Sequence, residues 1–283
     1  MKKVIVRGPA LSSSGYGEHA RYVLRALKSR PDLFDIYLVN VSWGQTSWLW
    51  RDTDEREWID TLIAKTLRHN ESGGQYDISM QVTIPQEWEK LAPYNIGVTA
   101  GTESTKISPQ WLEKSLQMDK IIVVSEHTKF AFENTVYSAT NQQTGQNFMA
   151  RVECPIDVIG YPIKEIESAD LDLDLKHDFN FLTVGTWIPR KNLENTVKWF
   201  VEEFYDQEVG LVIKTSAARN CHADRVMCSR KLTALLRDYD QSGERKCQVS
   251  LLHGDMSEEE MTGLYNHKKI KCLINLAHGE GFG

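Results

Sequence analysis

The chain has 283 residues, of which 41% are hydrophobic and 25% charged, and a net charge of −6. This is ordinary globular usage at a length suited to two domains of common size, and no apolar run approaches a membrane span. Residues 1–162 carry 17 basic and 19 acidic side chains, and residues 163–283 carry 16 and 20, so neither half offers the basic surface of a nucleic-acid binder or a polybasic membrane dock.

Two runs of alternating strand and helix patterns follow one another. Val4-Ile5-Val6, flanked by Lys2, Lys3 and Arg7, reads as a first strand, because the apolar run is too short for a signal peptide. A Gly/Ser loop over residues 8–17 leads to a helix predicted over 18–29, where Tyr22, Val23, Leu24 and Leu27 recur at helical spacing. Residues 36–39 are a strand and 55–69 a helix with Trp58, Ile59, Leu62, Ile63 and Leu67 on one side. Short β-branched strands are predicted at 78–83, 96–100 and 121–124, and Pro109 suits the first turn of a helix, where its missing N–H costs nothing. Residues 138–147 are polar and read as a loop.

The acidic segment 164–178 reads as a linker with solvated charges. Its spaced aspartates, Asp170, Asp172 and Asp174, do not end a buried strand and are not read as metal ligands. The second run comprises strands at 179–185, 211–213, 249–252 and 271–276, with helices over 193–204 and 225–239. Ser257-Glu258-Glu259-Glu260 is a capping box ahead of a third helix. Strands separated by helices indicate βαβ units and mainly parallel sheets. The expected organisation is therefore an N-terminal domain over 1–163, a linker over 164–178 and a C-terminal domain over 179–283.

Five scattered cysteines, an odd number, fit a reduced, cytoplasmic chain, and Cys221, His222 and Cys228 lack the second pair that a zinc site would need. Four segments offer chemistry. The loop Ser12-Ser13-Ser14-Gly15-Tyr16-Gly17 would let a ligand approach the backbone at a helix N-terminus, or is a plain tight turn. Thr99-Ala100-Gly101-Thr102-Glu103 ends a strand, so Glu103 either meets a substrate hydroxyl or caps the next helix. Arg190 and Lys191 sit between a strand and a helix, against the helix dipole, which an anionic ligand would justify. Lys214 ends the neighbouring strand, so the two strand ends make a candidate diphosphate clamp. The fourth is His278-Gly279-Glu280-Gly281-Phe282-Gly283, a Gly-rich turn that follows the last apolar strand. Trp43, Trp48, Trp50 and Trp58 crowd together after the second strand, as core packing by preference or as a sugar-stacking platform.

In order and spacing these segments resemble family 4 of the retaining glycosyltransferases, nearly end to end. Gly279-Glu280-Gly281-Phe282-Gly283 matches the E-G-F-G opening of that family's two-glutamate motif, and Arg190-Lys191-Asn192 matches its R-K-N donor-phosphate segment. Residues 96–103, Pro109-Gln110-Trp111 and the run from Met118 to Ser125 are similar to a subgroup of the family. The resemblance implies a GT-B-like α/β fold with two Rossmann-like doubly wound domains, the acceptor mostly on the first and the donor mostly on the second. It implies metal-independent transfer, with retention, from a nucleotide-diphosphate sugar to a saccharide or lipid-linked acceptor. No other cofactor and at most weak peripheral membrane association are expected.

By the match, Arg190, Lys191 and Lys214 would hold donor phosphate, and Gly15 and Gly17 would shape the loop near the diphosphate. Glu280 would contact the donor sugar, with Gly281, Phe282 and Gly283 beside it, and Glu103 lies next to the position of a catalytic-site side chain in many relatives. Two departures are visible. Thr186 stands where many relatives carry Arg, and the motif's second Glu, on the following helix, has no counterpart before Gly283. The expectation is a second domain left incomplete by about 60–100 residues, at about 30 per βα unit. An exposed sheet edge favouring self-association and weakened donor binding would follow. The runner-up is a non-catalytic GT-B-like binding or scaffold fragment.

Overall fold

A computed structural model describes all residues except 45, 141, 142, 144, 241, 242 and 281–283. The chain divides into two compact units, Met1–Pro162 and Ile163–Gly279, with Glu280 counted with the first.

In unit 1 the elements run β1 (Lys2–Gly8), α1 (Gly15–Lys28), β2 (Phe34–Asn40), α2 (Asp54–Glu71), β3 (Ile78–Val82), β4 (Tyr94–Thr99), α3 (Pro109–Ser115), β5 (Lys120–Val123), α4 (Glu126–Glu133), β6 (Tyr137–Thr140), β7 (Asn147–Ala150) and β8 (Ile156–Val158). Six strands form a sheet in the order β2-β1-β3-β4-β5-β8, every pairing parallel. Val4, Val6, Leu24, Leu38, Ile59 and Val98 bury the core between the sheet and α1 and α2. Each helix start has its chemical reason. Ser14, Thr53, Ser108 and Ser125 accept from the first turns of α1, α2, α3 and α4, and Pro109 occupies the first turn of α3.

Unit 2 runs β9 (Asn180–Val184), α5 (Leu193–Phe204), β10 (Gly210–Lys214), α6 (His222–Leu236), β11 (Gln248–Leu252), α7 (Glu258–Tyr265) and β12 (Ile270–Leu273). Its sheet is parallel in the order β11-β10-β9-β12. The capping box at α7 forms as expected, with Ser257 and Glu260 bonded reciprocally.

Two expectations are corrected. The polar segment 138–147 is strand only at its ends, where residues 138–140 of β6 and Asn147 of β7 pair antiparallel; the exposed Asn147, Phe148 and Met149 gave β7 no apolar alternation to mark it. The segment 164–178 is no solvated tether. It lies in unit 2, where Leu171, Leu173 and Leu175 pack with Leu182, Val212 and Leu264 while Asp170, Asp172 and Asp174 face outward. The arm is fixed by the Ala169 N–H to the Glu259 carbonyl (3.0 Å), and a side chain at Gly263 would collide with the Ala169 carbonyl, 2.2 Å from the place its Cβ would take. The five cysteines are all free. Among the described residues no helix is long and apolar enough to cross a membrane.

Candidate functional site

Open parallel sheets take ligands outside the carboxyl ends of their strands, where the strand order reverses. In unit 1 the reversal falls between β1 and β3, beside the Gly/Ser loop that joins β1 to α1. That loop is knitted to itself. The Arg21 guanidinium donates to the carbonyls of Ala10 (2.7 Å) and Ser12 (2.9 Å), the Leu11 N–H donates to Asn40 (2.9 Å), and Ser14 accepts from the Gly17 N–H (3.1 Å). The two expected ligand glycines differ. A Cβ on Gly17 would stand 2.0 Å from the Ser12 carbonyl, so packing alone demands glycine there, whereas a Cβ on Gly15 meets nothing within 4 Å. Gly15 is thus the position open to an approaching ligand.

Tyr16 links this loop to the end of β4. Its hydroxyl bonds to Thr99 (2.8 Å) and accepts from the Ala100 N–H (3.3 Å). Burial raises the Tyr16 pKa, and the Glu103 carboxylate adds to the rise, which puts Glu103 in electrostatic reach of this hydroxyl. Glu103 itself is exposed, and the cap of α3 is Ser108, which removes the capping alternative. Behind Tyr16, His19 is 5% exposed, and its Nδ1 lies 3.2 Å from the Tyr161 hydroxyl. Burial lowers the imidazole pKa to about 4, so His19 is neutral near pH 7. Sequence reasoning passed over Tyr16, His19 and Tyr161. The only available signal was a His two residues past Gly17 on the inner face of the helix.

In unit 2 the order reverses between β9 and β12. The segments leaving these two strands meet. The Asn192 side-chain amide donates to the Leu276 carbonyl (3.0 Å), the His278 N–H donates to the Arg190 carbonyl (2.9 Å), and the Arg190 guanidinium donates to the Gly279 carbonyl (2.5 Å). Residues 84 to 89 apart in sequence are thereby joined. Pro189–Lys191 form a single 3-10 turn, and Asn192, at φ 55°, reverses the chain into α5 without capping it. The first N–H groups of α5 therefore receive no bond from the Asn192 side chain, beside two cations. The Lys191 stem lies in van der Waals contact with the place a Gly185 side chain would occupy (3.4 Å).

Lys214 flanks the same glycine from β10, since its carbonyl accepts from the Gly185 N–H (3.1 Å). Its ammonium group donates to the Gly254 carbonyl, and burial lowers its pKa. Thr186 is exposed. Glu280 is half-buried outside any helix or strand, and Gly281, Phe282 and Gly283 lie outside the described residues.

The cysteine reading changes in one respect. Cys228, but not Cys221 or His222, joins Asp224 and His253 in a trio whose ligand atoms lie within 4.8 Å of one another, so these three could hold a metal ion. Asp224 already accepts from His253 (3.0 Å) and from the N–H groups of Ala217 (3.2 Å) and Ala218 (3.1 Å). Although burial opposes it, these bonds hold the Asp224 carboxyl below its usual range. Asp224 and His253 thus have a structural task of their own, fixing the loop after β10.

No protein-family description matches the chain, and no curated protein matches it. Solved structures do. One described as trehalose-6-phosphate from E. coli bound with UDP-2-fluoro glucose superposes with a TM-score of 0.57 at 14% identity, over 99% of this chain and 79% of that one. The lipopolysaccharide outer core galactosyltransferase WaaB gives 0.54 at 12%, over 100% and 76%. An α,α-trehalose-phosphate synthase (UDP-forming) from Burkholderia xenovorans in complex with glucose-6-phosphate gives 0.51 at 10%, over 100% and 81%. At such identities the likeness speaks for the fold, which is the Rossmann-like α/β fold of the GT-B glycosyltransferases.

Proposed function

We propose that this chain transfers a sugar from a nucleotide-diphosphate donor, held by unit 2, to a saccharide or lipid-linked acceptor held by unit 1. The observation that carries the reading is the meeting of Arg190-Lys191-Asn192 with residues 276–279 at the reversal point of the unit 2 sheet. Two cations and the N-terminus of α5 there would neutralise the diphosphate as it leaves. With that charge met by side chains and N–H groups, the transfer would need no metal, and a phosphate oxygen on the donor's own face could take the acceptor proton, giving retention. Glu280 would contact the donor sugar, and Glu103 would act on the acceptor side near Tyr16. The neighbours with UDP-2-fluoro glucose and glucose-6-phosphate support the choice of substrate class.

Lys191→Ala tests the reading. A charge-assisted phosphate bond is worth about 1.5–3 kcal/mol, so UDP or GDP should bind about 10- to 100-fold more weakly by calorimetry, with the far-ultraviolet spectrum unchanged. Unchanged nucleotide affinity would remove the assignment. Proton NMR of the product's anomeric centre checks retention, and activity in excess EDTA checks metal independence. A second reading, a non-catalytic nucleotide-sugar binder, is favoured by the exposed Thr186 in place of an arginine. It predicts binding with neither transfer nor slow donor hydrolysis.

A further inference from the structure

The four clustered tryptophans divide into two kinds. Trp58 packs against the unit 1 core with Lys28 over its ring at 4.2 Å, and Trp43 is half-buried with its ring 4.5 Å from that of Tyr16. Trp48 and Trp50 are 50% and 66% exposed, so core packing does not account for them. Both stand on an extended ribbon laid antiparallel to the Gly/Ser loop. The Ser13 N–H donates to the Ser47 carbonyl (2.7 Å), the Leu49 N–H donates to the Leu11 carbonyl (2.8 Å), and Ser12 pairs with Trp48. Thr46 adds a side-chain bond to Ser12 (2.6 Å). In an extended chain, residues two apart share a face, and Leu49 between them is half-buried. An extended chain would put the two tryptophans on one side with Cα atoms about 6–7 Å apart, from a rise of about 3.3 Å per residue.

We propose that Trp48 and Trp50 form a stacking platform for the glycan chain of the acceptor, a proposal that rests on the transferase reading above. Three features point to a neutral glycan. The ribbon is pinned to the loop at the sheet's reversal point, where a ligand is expected. Through Trp43 and Tyr16 it connects to Thr99, four residues before Glu103. Its surroundings are acidic on balance: Asp52, Asp54 and Glu57 follow the ribbon, Glu55 is paired with Arg25 (2.6 Å) and Arg56 with Asp60 (3.0 Å), and Arg51 lies over the Trp50 ring at 5.4 Å. That charge repels the anionic surface of a bilayer, the other common partner of exposed tryptophans. A sugar ring offers its C–H face to an indole and its hydroxyls to such carboxylates.

The test uses the full chain and its Trp48→Ala/Trp50→Ala double variant. Maltohexaose, cellohexaose and dextran oligomers are titrated by tryptophan fluorescence, and vesicles of phosphatidylcholine with phosphatidylglycerol are used in a flotation assay. We expect saturable binding of at least one oligosaccharide, weakened about tenfold or more in the double variant and largely kept in Trp50→Tyr. No saturable oligosaccharide binding, or equal binding by the double variant, overturns the proposal. So does vesicle binding that the double variant alone loses. UDP affinity on the same samples separates the two readings. It should be unchanged by the tryptophan substitutions, and its absence in the parent chain would sink the transferase reading while leaving the glycan result to stand or fall alone.

Discussion

The loops that open the two units occupy the same topological place, between first strand and first helix, yet they are built in opposite ways. In unit 1 the β1–α1 loop is held by its own unit, with its carbonyls on Arg21 and Leu49, its N–H groups on Asn40 and Ser47, and its helix capped by Ser14. In unit 2 the β9–α5 loop carries Arg190 and Lys191 into a helix that has no side-chain cap, and it is tied instead to the segment leaving β12. A loop whose polar groups are matched internally holds a shape, whereas a loop with cations against an uncapped helix start invites a charged ligand. The contrast gives the first loop a structural task, and under the proposed function the second would take the anion.

The sharpest way to break that contrast is Gly17→Ala. With a carbonyl 2.0 Å from the new Cβ, the loop must rearrange, and unit 1 should lose more than about 3 kcal/mol in urea unfolding. Gly15→Ala, with open space around it, should lose far less.

The next effect is pH. His19 titrates near 6.5 when unfolded and near about 4 when folded, so the unfolded chain binds the extra proton between those values. The contribution is complete above about 6.5 and is lost as pH falls toward 4, at a cost of roughly 3 kcal/mol. His19→Gln should flatten the dependence in that window. In unit 2 the Asp224 carboxyl is depressed from 3.8, so its contribution is lost only below about 4. Unit 1 should therefore loosen first on acidification, a sequence that hydrogen exchange can follow unit by unit.

The smallest effects compare the caps. Ser14→Ala should cost about 1 kcal/mol in thermal unfolding, the usual value of a lost serine cap. Asn192→Gly keeps the left-handed turn, which glycine adopts freely, and loses the side-chain bonds to Leu276 and Asn195, so it should cost about 1 kcal/mol or less.

Much of the fold is written in local pattern. The α5 span of 193–204 follows from its apolar spacing, and the start of α7 follows from Ser257 and Glu260. The hairpin was not legible, because both of its strands lack a fully buried face and read as polar loop. The arm over 163–178 was misread because its charges are conspicuous, although Leu171, Leu173 and Leu175 alternate with aspartates in the period of an extended chain with one buried side. The site was legible as segments, since cations and glycines after strands are visible in any sequence. Their meeting was not, because the approach of Asn192 to Leu276 depends on β12 pairing beside β9. Tyr16 and His19 were missed for the same reason, as their partners Thr99 and Tyr161 lie 83 and 142 residues away.

The buried side of that arm bears on how the protein can be divided. A fragment cut at 180, where the first strand of unit 2 begins, would strip three leucines from Leu182, Val212 and Leu264 and leave a greasy, sticky surface. A fragment cut at 163 would keep its own wrapping. The excision point for an isolated unit 2 therefore lies 17 residues upstream of its first strand, which begins at Asn180.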